Sequence, residues 1–345
     1  MVIIGIDVHR NLSQIAAVCR ETGEVILELK VPTEPQTIRD IVEGIKGSKV
    51  VVFEEGPSSA LLYDALKDVA DEVISCDPSH NALIARSEDA NDEKDALRLI
   101  TLASANSLKA VHVPAEPFRT LRSLTNHDFN LMRTATQQMN RIKALCRRNG
   151  IAYHGKGIYR KAGRGQLLNN LKNKSLAFQA ESMYRHLDLA RIERVKTKRE
   201  ISRIAGTIPS VKRLRTIPGL GPYTSAVLAA WIEDPGRFKS RSALSSYGGL
   251  GIGQSVTAWK QVGRARASKR GQKRLKYALF IAARAAVSGN NAISRNYFAH
   301  IENGWSDRKA IRETARKILL TACMLWKKGG VYNDKKVIPV KAAGK

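Results

Sequence analysis

The stretch Val2-Ile-Ile-Gly-Ile-Asp-Val8 decides the fold of the first hundred residues, because it is an apolar strand that carries one carboxylate near its end. Two more strand patterns, 13–20 and 25–31, follow it and are joined by the turn Glu21-Thr-Gly-Glu24. Three successive strands joined by short turns form an antiparallel meander. The opening strand is therefore expected in the middle of a sheet, with Asp7 buried on it.

Helical and strand patterns alternate after the meander. A helix is predicted over 35–45, a strand over 49–53, a helix over 59–70 and a strand over 72–76, after which Asp77-Pro78-Ser79 opens another helix. Three antiparallel strands, a helix, a strand, a helix and a strand form the element order of an RNase H-like sheet. The predicted fold class is α/β for this part and all-α for the remainder.

Residues after 115 lose the strand pattern. One long helix is predicted over 116–149, where apolar stripes at heptad spacing, interrupted at Asp128 and Gln138, favour a helical hairpin or a dimer contact. The Gly-rich basic segment 150–165 interrupts this helix, which resumes over 175–206. We expect an α/β domain at 1–115, an all-helical linker at 116–207, a helical C-terminal domain at 208–330, and a basic tail at 331–345 whose residues 335–345 are disordered.

Charge gives the first functional information. The chain has 58 Lys/Arg and 31 Asp/Glu, and the excess is segregated: residues 1–100 hold 10 basic and 19 acidic residues, and residues 101–345 hold 48 and 12. The stretches 129–180 and 235–301 contain no acid at all. Such density repels itself unless a polyanion neutralises it, so nucleic acid is the expected partner. The alternative is a solvated basic face that serves solubility.

Other protein classes fit the sequence poorly. Its four cysteines form no CxxC pair and no Cys/His cluster at zinc-ligand spacing, which argues against a disulfide scaffold or a structural zinc site. Met1 leads straight into the first strand without a basic leader, and no apolar stretch approaches the roughly 18 residues of a membrane span. We expect a soluble, cytoplasmic bacterial protein with no membrane partner.

Acidic residues form the first candidate site. Asp7 ends the first strand, Glu54 and Glu55 end the strand at 49–53, and Asp92 and Asp95 lie three residues apart at the start of a helical pattern. If that helix packs beside the two strands, the carboxylates converge into the oxygen-rich environment that Mg²⁺ prefers. For Asp92 and Asp95 taken alone, ordinary helix N-terminal charge is the favoured explanation.

Basic and glycine-rich motifs form the second candidate site. The turn Ile217-Pro-Gly-Leu-Gly-Pro222 resembles a helix-hairpin-helix, in which the amides of Gly219 and Gly221 hold a backbone phosphate; an ordinary Gly-Pro turn is the alternative. Tyr153 and Tyr159 are available to stack on RNA bases beside basic residues, unless the segment is a plain surface loop. The proposed basic contacts are Lys156, Arg160, Lys161, Arg164, Arg264, Arg266, Lys269, Arg270, Lys273 and Arg274.

With these motifs in place, the chain resembles the DEDD-type transposases of the IS-one-ten insertion-sequence family, which includes the Piv-like DNA invertases. The likeness covers nearly the whole chain. It rests on Gly5-Ile-Asp-Val8, Phe53-Glu-Glu-Gly56, Asn91-Asp-Glu-Lys-Asp-Ala96, Thr216-Ile-Pro-Gly-Leu-Gly221, Tyr247-Gly-Gly-Leu250, Gln254-Ser255 and Ser268-Lys-Arg-Gly271.

The resemblance implies a RuvC-like N-terminal domain in which Asp7, Glu54, Asp92 and Asp95 match the four metal-binding acids of the family, with Glu55 as the alternative to Glu54. It also implies a serine nucleophile. Ser255 matches its position, although Val256 stands where the family usually has Gly, and Thr257 is the nearest substitute.

The implied activity is Mg²⁺-dependent cleavage and rejoining of double-stranded donor and target DNA. The implied partners are a structured guide (bridge) RNA and further copies of the chain, as a dimer or a tetramer. By this resemblance, 1–115 is the catalytic domain, and the helical linker at 116–207, with its basic region 129–180, serves dimerisation and RNA contact. The alternatives are a junction nuclease of RuvC/RNase H type that uses water as its nucleophile, a non-catalytic nucleic-acid-binding protein, and a site-specific DNA invertase of the same family.

Overall fold

The computed structural model of the chain describes the backbone of residues 1–84, 92–257, 260–267 and 271–340, and the side chains of these residues except 82–84, 92–94, 252–257 and 260–267. It divides into two compact units, Met1–Ala115 and Glu116–Lys345. Within the described ranges, no helix is both long and apolar enough to cross a membrane. The four cysteines are free thiols.

The first unit is a five-stranded mixed sheet with helices on both faces. Its sheet order is β3-β2-β1-β4-β5, with β1 antiparallel to β2 and parallel to β4. This arrangement is consistent with an RNase H-like unit, and each observed strand end lies within one residue of its prediction. The elements are β1 Val2–Val8, β2 Leu12–Cys19, β3 Val25–Pro32, α1 Pro35–Gly44, β4 Lys49–Glu54, α2 Ser59–Leu66, β5 Glu72–Cys76, α3 Pro78–Ile84 and α4 Asp92–Ser104.

The central strand β1 buries both of its faces. Ile4 and Ile6 pack with the core that α1 and α2 cover, whereas Ile3 packs with Ala96 and Ile100 of α4 on the opposite face. Successive side chains of a strand point to opposite faces, so Asp7 lies on the same face as Ile3, towards α4. The same alternation in β4 puts Glu54 on the face of Val52, which belongs to the α4 core.

Gly5 allows α4 to approach β1 closely. A Cβ atom at this position would lie 2.3 Å from the carbonyl oxygen of Ala96, a distance that only a glycine avoids. Ala96 directly follows Asp95, and Gly5 lies two residues before Asp7. The close contact of this strand with this helix therefore sets the separation of the two acids.

The second unit is built mainly of helices around a large apolar core. Its first part is a pair of long antiparallel helices, α5 (Phe118–Arg148) and α7 (Lys174–Gly206), which are connected by a short 3-10 turn and the helix α6 (Lys161–Asn170). Its second part packs shorter helices around α9 and α13. The elements are α5 Phe118–Arg148, α6 Lys161–Asn170, α7 Lys174–Gly206, α8 Pro209–Leu214, α9 Pro222–Ile232, α10 Arg241–Tyr247, β6 Ile252–Thr257, β7 Lys260–Ala267, α11 Lys273–Val287, α12 Ala292–Glu302 and α13 Asp307–Lys328.

A buried ionic cluster joins three of these helices. Asp128 of α5 is 1% exposed and accepts bonds from Arg194 of α7, with Nε at 3.1 Å from Oδ1 and Nη2 at 3.3 Å from Oδ2. The hydroxyl of Tyr223 in α9 donates to Oδ2 at 2.7 Å. Burial and the hydrogen bond to this carboxylate raise the pKa of Tyr223. Asp128 thus interrupts the apolar stripe of the sequence because it anchors α7 and α9.

Three parts of the second unit differ from the sequence-based prediction. The expected all-helical C-terminal part contains an antiparallel hairpin of β6 and β7, where large and small residues alternate along 262–267 at the period of a strand. The interruption between helices expected at 150–165 is shorter than predicted, because α6 already begins at Lys161. The expected disordered tail is ordered to residue 340: Asp334 accepts a bond from the Ala292 amide at 2.9 Å, and Asn296 accepts one from the Val340 amide at 2.7 Å.

Candidate functional site

The carboxyl ends of β1 and β4 open onto a cavity of about 320 Å³ in the first unit. These strands are parallel neighbours, so Asp7 and Glu54 leave the same edge of the sheet on the same face. Helix α4 adds Asp95 from its first turn. The cavity is lined by Asp7, Glu54, Pro78, Asn81, Asp95, Arg98, Leu99 and Leu102. Three of the four acids predicted from the sequence therefore line one cavity.

Each of these carboxylates contacts a different polar side chain. Asp7 Oδ2 lies 2.9 Å from Nε2 of His9, and Asp95 Oδ1 lies 3.0 Å from Nη1 of Arg98. Asp7 is less buried than its apolar strand predicted, with a side chain 20% exposed, because it stands at the strand's end, where the sheet opens into the cavity. The carboxylates of Asp7 and Asp95 thus line the cavity, and each lies beside a nitrogen-bearing side chain of its own element or of the residues that follow it.

The two consecutive glutamates after β4 differ in their surroundings. Glu54 pairs with Cys76 of β5, and its Oε1 accepts a 2.8 Å hydrogen bond from Asn81 Nδ2. Glu55 follows as an exposed residue, and only its backbone amide is tied to β5, through the Cys76 carbonyl at 2.8 Å. Among the two, Glu54 is the one whose side chain lines the cavity.

The donor set of the cavity suits a hard divalent cation. Carboxylate and amide oxygens are the ligands that Mg²⁺ takes in proteins, and Asp7, Glu54 and Asp95 supply them here. Asp92 begins α4, in the same helical turn as Asp95, and its side chain lies outside the described residues. Among the described side chains, no three His, Cys, Asp or Glu groups are drawn together closely enough to hold an ion. The chemistry of the donors fits the cation, with each acid bonded to a partner of its own.

Asn81 is a member of this cavity that the sequence reading missed. It lies in α3, one turn after Asp77, and is 3% exposed. Its Nδ2 also lies 3.2 Å from Cys76 Sγ, and its Oδ1 is buried without a hydrogen-bond partner in the described structure. The only sequence signal was an amide in the first turn of a helix that follows a strand end, which is common in α/β proteins.

The glycine-rich turn of the second unit connects α8 to α9. Gly219 has φ +84°, and a Cβ atom there would lie 2.0 Å from the Ala282 carbonyl oxygen of α11, so the turn is pressed against that helix. Gly221 is the N-cap residue of α9, and it is exposed. A cleft of about 600 Å³ runs along this turn. Its basic lining residues are Arg194, Lys198 and Arg215, none of which is predicted from the sequence to lie at the turn.

The basic segment around α6 is only partly exposed. Lys156, Arg160 and Lys161 face solvent. Arg164 instead pairs with Asp188 and lies over the ring of Tyr184 at 4.7 Å, so its charge is offset within the protein.

The expectation that Tyr159 stacks on bases is wrong. Its side chain is 7% exposed and its hydroxyl donates to the Met139 carbonyl at 3.1 Å, because the ring fills the core between α5 and α7.

The remaining predicted residues lie in or after the β-hairpin. Ser255 is in β6, opposite Val262 of β7. Lys273 is exposed at the start of α11, and Arg274 lies over the ring of Phe129 at 5.1 Å. Arg264 and Arg266 belong to β7, and the side chains of Ser255 and of these two arginines lie outside the described residues. Lys269 and Arg270 lie outside them altogether.

Protein-family models match segments in both the N-terminal and the C-terminal parts of the chain. A family model for DEDD transposases of IS110, described as a transposase, matches residues 4–148, and the model of the transposase IS116/IS110/IS902 family matches residues 211–299. The chain is also 21% identical to the "Insertion element IS110 uncharacterized 43.6 kDa protein" of Streptomyces coelicolor, with 91% of each chain covered. The two models match the acidic cavity unit and the glycine-rich turn. The chain belongs to the IS110 (IS-one-ten) family of insertion-sequence transposases, and it is a transposase.

Proposed function

We propose that the protein cleaves and rejoins DNA strands with a RuvC-like cation site in its first unit and a serine nucleophile in its second, under the direction of a structured RNA. The observation that carries this proposal is the cavity at the ends of β1 and β4, where Asp7, Glu54 and Asp95 line one space. These acids are far apart in the sequence, and a solubility role would not gather them at one edge of a sheet.

The acids would hold Mg²⁺ together with Asp92. A divalent cation bound there polarises a phosphodiester and lowers the pKa of an attacking or leaving oxygen. The protein's own contribution is positional. The close contact at Gly5 fixes α4 against β1, and the Asn81 amide fixes the carboxylate of Glu54. Two carboxylates on strands and one on a helix are rigid supports for such a site.

The reaction proposed for Ser255 is a pair of phosphoryl transfers. Its hydroxyl oxygen bonds to a DNA phosphorus, the bond from that phosphorus to one deoxyribose oxygen breaks, and the serine proton ends on the departing oxygen. A hydroxyl of the second strand then attacks the phosphoserine ester, which restores the serine and joins the strands. A serine hydroxyl is a weak nucleophile, so a base or the cation site must activate it.

The basic surfaces of the second unit support the nucleic-acid partners. The cleft beside the turn at 217–222 combines two glycines, an α-helix N-terminus and nearby cations, which is the chemistry that holds a DNA backbone phosphate without reading bases. The exposed Lys156, Arg160 and Lys161 offer a second cationic surface, which we assign to the guide RNA.

A solvent-facing apolar stripe on α7 supports association of the chain with further copies. Leu189, Ile192 and Val195 are more than half exposed, at 57%, 54% and 52%. Large apolar side chains grouped on one helix commonly mark a contact surface. A homodimer or a larger assembly is therefore part of the proposal.

The metal role is tested with the Asp7→Asn variant. This change keeps the shape of the side chain and removes its charge, so we expect it to abolish strand transfer between donor and target DNA while thermal stability and nucleic-acid affinity stay near those of the wild type. Full strand transfer by a folded Asp7→Asn protein would refute the role of the cavity.

The nucleophile is tested with Ser255→Ala and, as its matched control, Thr257→Val on the same strand. We expect Ser255→Ala to lose the protein–DNA adduct that survives denaturation, and Thr257→Val to keep it. An adduct that persists in Ser255→Ala and disappears in Thr257→Val would move the nucleophile to Thr257. Free DNA ends without any adduct in the wild type would favour the water-based nuclease.

A further inference from the structure

Asn81 has a side chain that the fold of the first unit does not fully explain. Of the two arms of its amide, Nδ2 is accounted for by Glu54 at 2.8 Å and by Cys76 at 3.2 Å. The residue is 3% exposed, and its Oδ1 atom is buried and accepts no hydrogen bond within the described structure. Buried polar atoms in folded proteins are nearly always satisfied, and an exception calls for a ligand or another explanation.

The position of Asn81 points to the cavity as the source of that partner. The residue lines the cavity together with Asp7, Glu54 and Asp95. The hydrogen bond to Glu54 also fixes the identity of the two amide arms, because a carboxylate accepts only from the nitrogen. With Nδ2 thus oriented, the oxygen is the arm left for a species that takes an electron pair, such as a cation or its bound water.

We propose that Asn81 is a further oxygen donor of the cation site, with Oδ1 serving the divalent cation while Nδ2 holds Glu54. Neutral amide oxygens are ordinary ligands of hard divalent cations alongside carboxylates. Residues that orient metal-ligating carboxylates by hydrogen bonding also tune affinity for the metal. The inference rests on the proposed cation role of the acidic cavity and adds a residue that the four-acid pattern does not contain.

The proposal is tested by measuring Mn²⁺ binding to the full-length protein without nucleic acid. Binding is measured by calorimetry and by the loss of the free Mn²⁺ signal in electron paramagnetic resonance. Asn81→Ala removes both amide arms, and we expect its Mn²⁺ dissociation constant to rise about 10- to 100-fold. Asn81→Asp keeps an oxygen at the position of Oδ1 and loses the donor to Glu54. We expect it to bind Mn²⁺ at least about tenfold more tightly than Asn81→Ala, since the retained oxygen also adds charge.

Two controls separate the possible outcomes. Asn296→Ala removes an asparagine of similar burial, 6% exposed, from the second unit, and is expected to bind Mn²⁺ like the wild type. Asp7→Asn is expected to lose Mn²⁺ binding. Equal affinity of Asn81→Ala and wild type overturns the assignment of Asn81 and leaves the cation site standing.

Two further results would also overturn the assignment. Equal weakening in Asn81→Ala and Asn81→Asp leaves Asn81 no role as an oxygen donor. A wild type that binds no Mn²⁺ refutes the cation site as well. If Asn81→Ala fails to fold, the comparison of Asn81→Asp with the wild type decides the question: affinity within about tenfold supports the proposal, and a larger loss contradicts it.

Discussion

Replacing Gly5 with alanine should displace α4 from β1 and thereby disturb the acidic cavity. The new Cβ atom would lie 2.3 Å from the Ala96 carbonyl oxygen, and ordinary van der Waals contact begins at 3.4 Å, so helix and strand must separate by about 1 Å. The neighbour is backbone, which cannot rotate away. Overpacking of this kind costs about 1–3 kcal/mol of the free energy of unfolding.

The effect on activity should exceed the effect on stability. Asp95 directly precedes Ala96, so the shift carries its carboxylate away from Asp7. A misplacement of about 1 Å commonly costs on the order of 100-fold in rate. We expect the Gly5→Ala protein to remain folded below its lowered Tm, to bind Mn²⁺ more weakly than the wild type, and to transfer DNA strands about 100-fold more slowly.

The control for this variant is Gly44→Ala, at the end of α1, where an added Cβ atom meets nothing within 4 Å. This protein should match the wild type in unfolding, Mn²⁺ binding and strand transfer. The reasoning is refuted if Gly5→Ala also matches the wild type in all three measurements. Loss of stability without any loss of Mn²⁺ affinity would show that the contact does not set the separation of the acids.

Three further predictions concern the second unit. Asp128→Asn should lower the free energy of unfolding by about 3 kcal/mol in chemical denaturation, because it leaves the largely buried Arg194 without its charge partner. Asp307→Asn breaks a similar cluster with an arginine and a tyrosine, but that cluster is about half exposed, so the loss should be clearly smaller. Equal losses in the two variants would contradict the role of burial. Gly219→Ala should destabilise the protein by at least about 2 kcal/mol, because the added Cβ atom would meet the Ala282 carbonyl in a left-handed backbone. Gly221→Ala should cost less than about 1 kcal/mol, because its Cβ atom would meet nothing within 4 Å. A reversed order in thermal unfolding would contradict the packing of the turn. The Ala292 amide, Tyr332 and Arg295 lower the pKa of Asp334, so its contribution to stability is complete above the ordinary carboxyl pKa of about 4 and is lost as the pH falls through the lowered value. The protection factors of the amides at 334–340, which are exchange rates corrected for the intrinsic rate at each pH, should fall there and stay constant between pH 5 and 8.

Periodicity predicted the first unit well because its strands are rich in apolar residues and end at turn residues or charges. It could not decide between Glu54 and Glu55, since that choice depends on which side of β4 each residue faces and on a hydrogen bond from α3. Asn81 was missed for a related reason. Its place in the cavity depends on a contact with Glu54, which is 27 residues away in the sequence, and a single amide carries no pattern.

The second unit shows the limits of reading charge and aromaticity by composition. Arg164 and Tyr159 belong to a segment that reads as a basic, aromatic surface, yet one is paired with an aspartate and the other fills a core. Asp128 likewise reads as an interruption of an apolar stripe, and it holds three helices together. A sequence gives the residue types, but the partner of each charge is decided by packing.

The alternation along β1 has a consequence for insertions and deletions. Gain or loss of one residue between Val2 and Asp7 would exchange the two sides of the strand, which would turn the carboxylate into the aliphatic layer beneath α1 and α2. A change of two residues would restore its side, although not its depth. The number of residues from the start of this strand to Asp7 can therefore change only by an even number if the carboxylate is to stay on its side of the sheet. Length variation in this family should accordingly be tolerated in the loops around the strand and not within it.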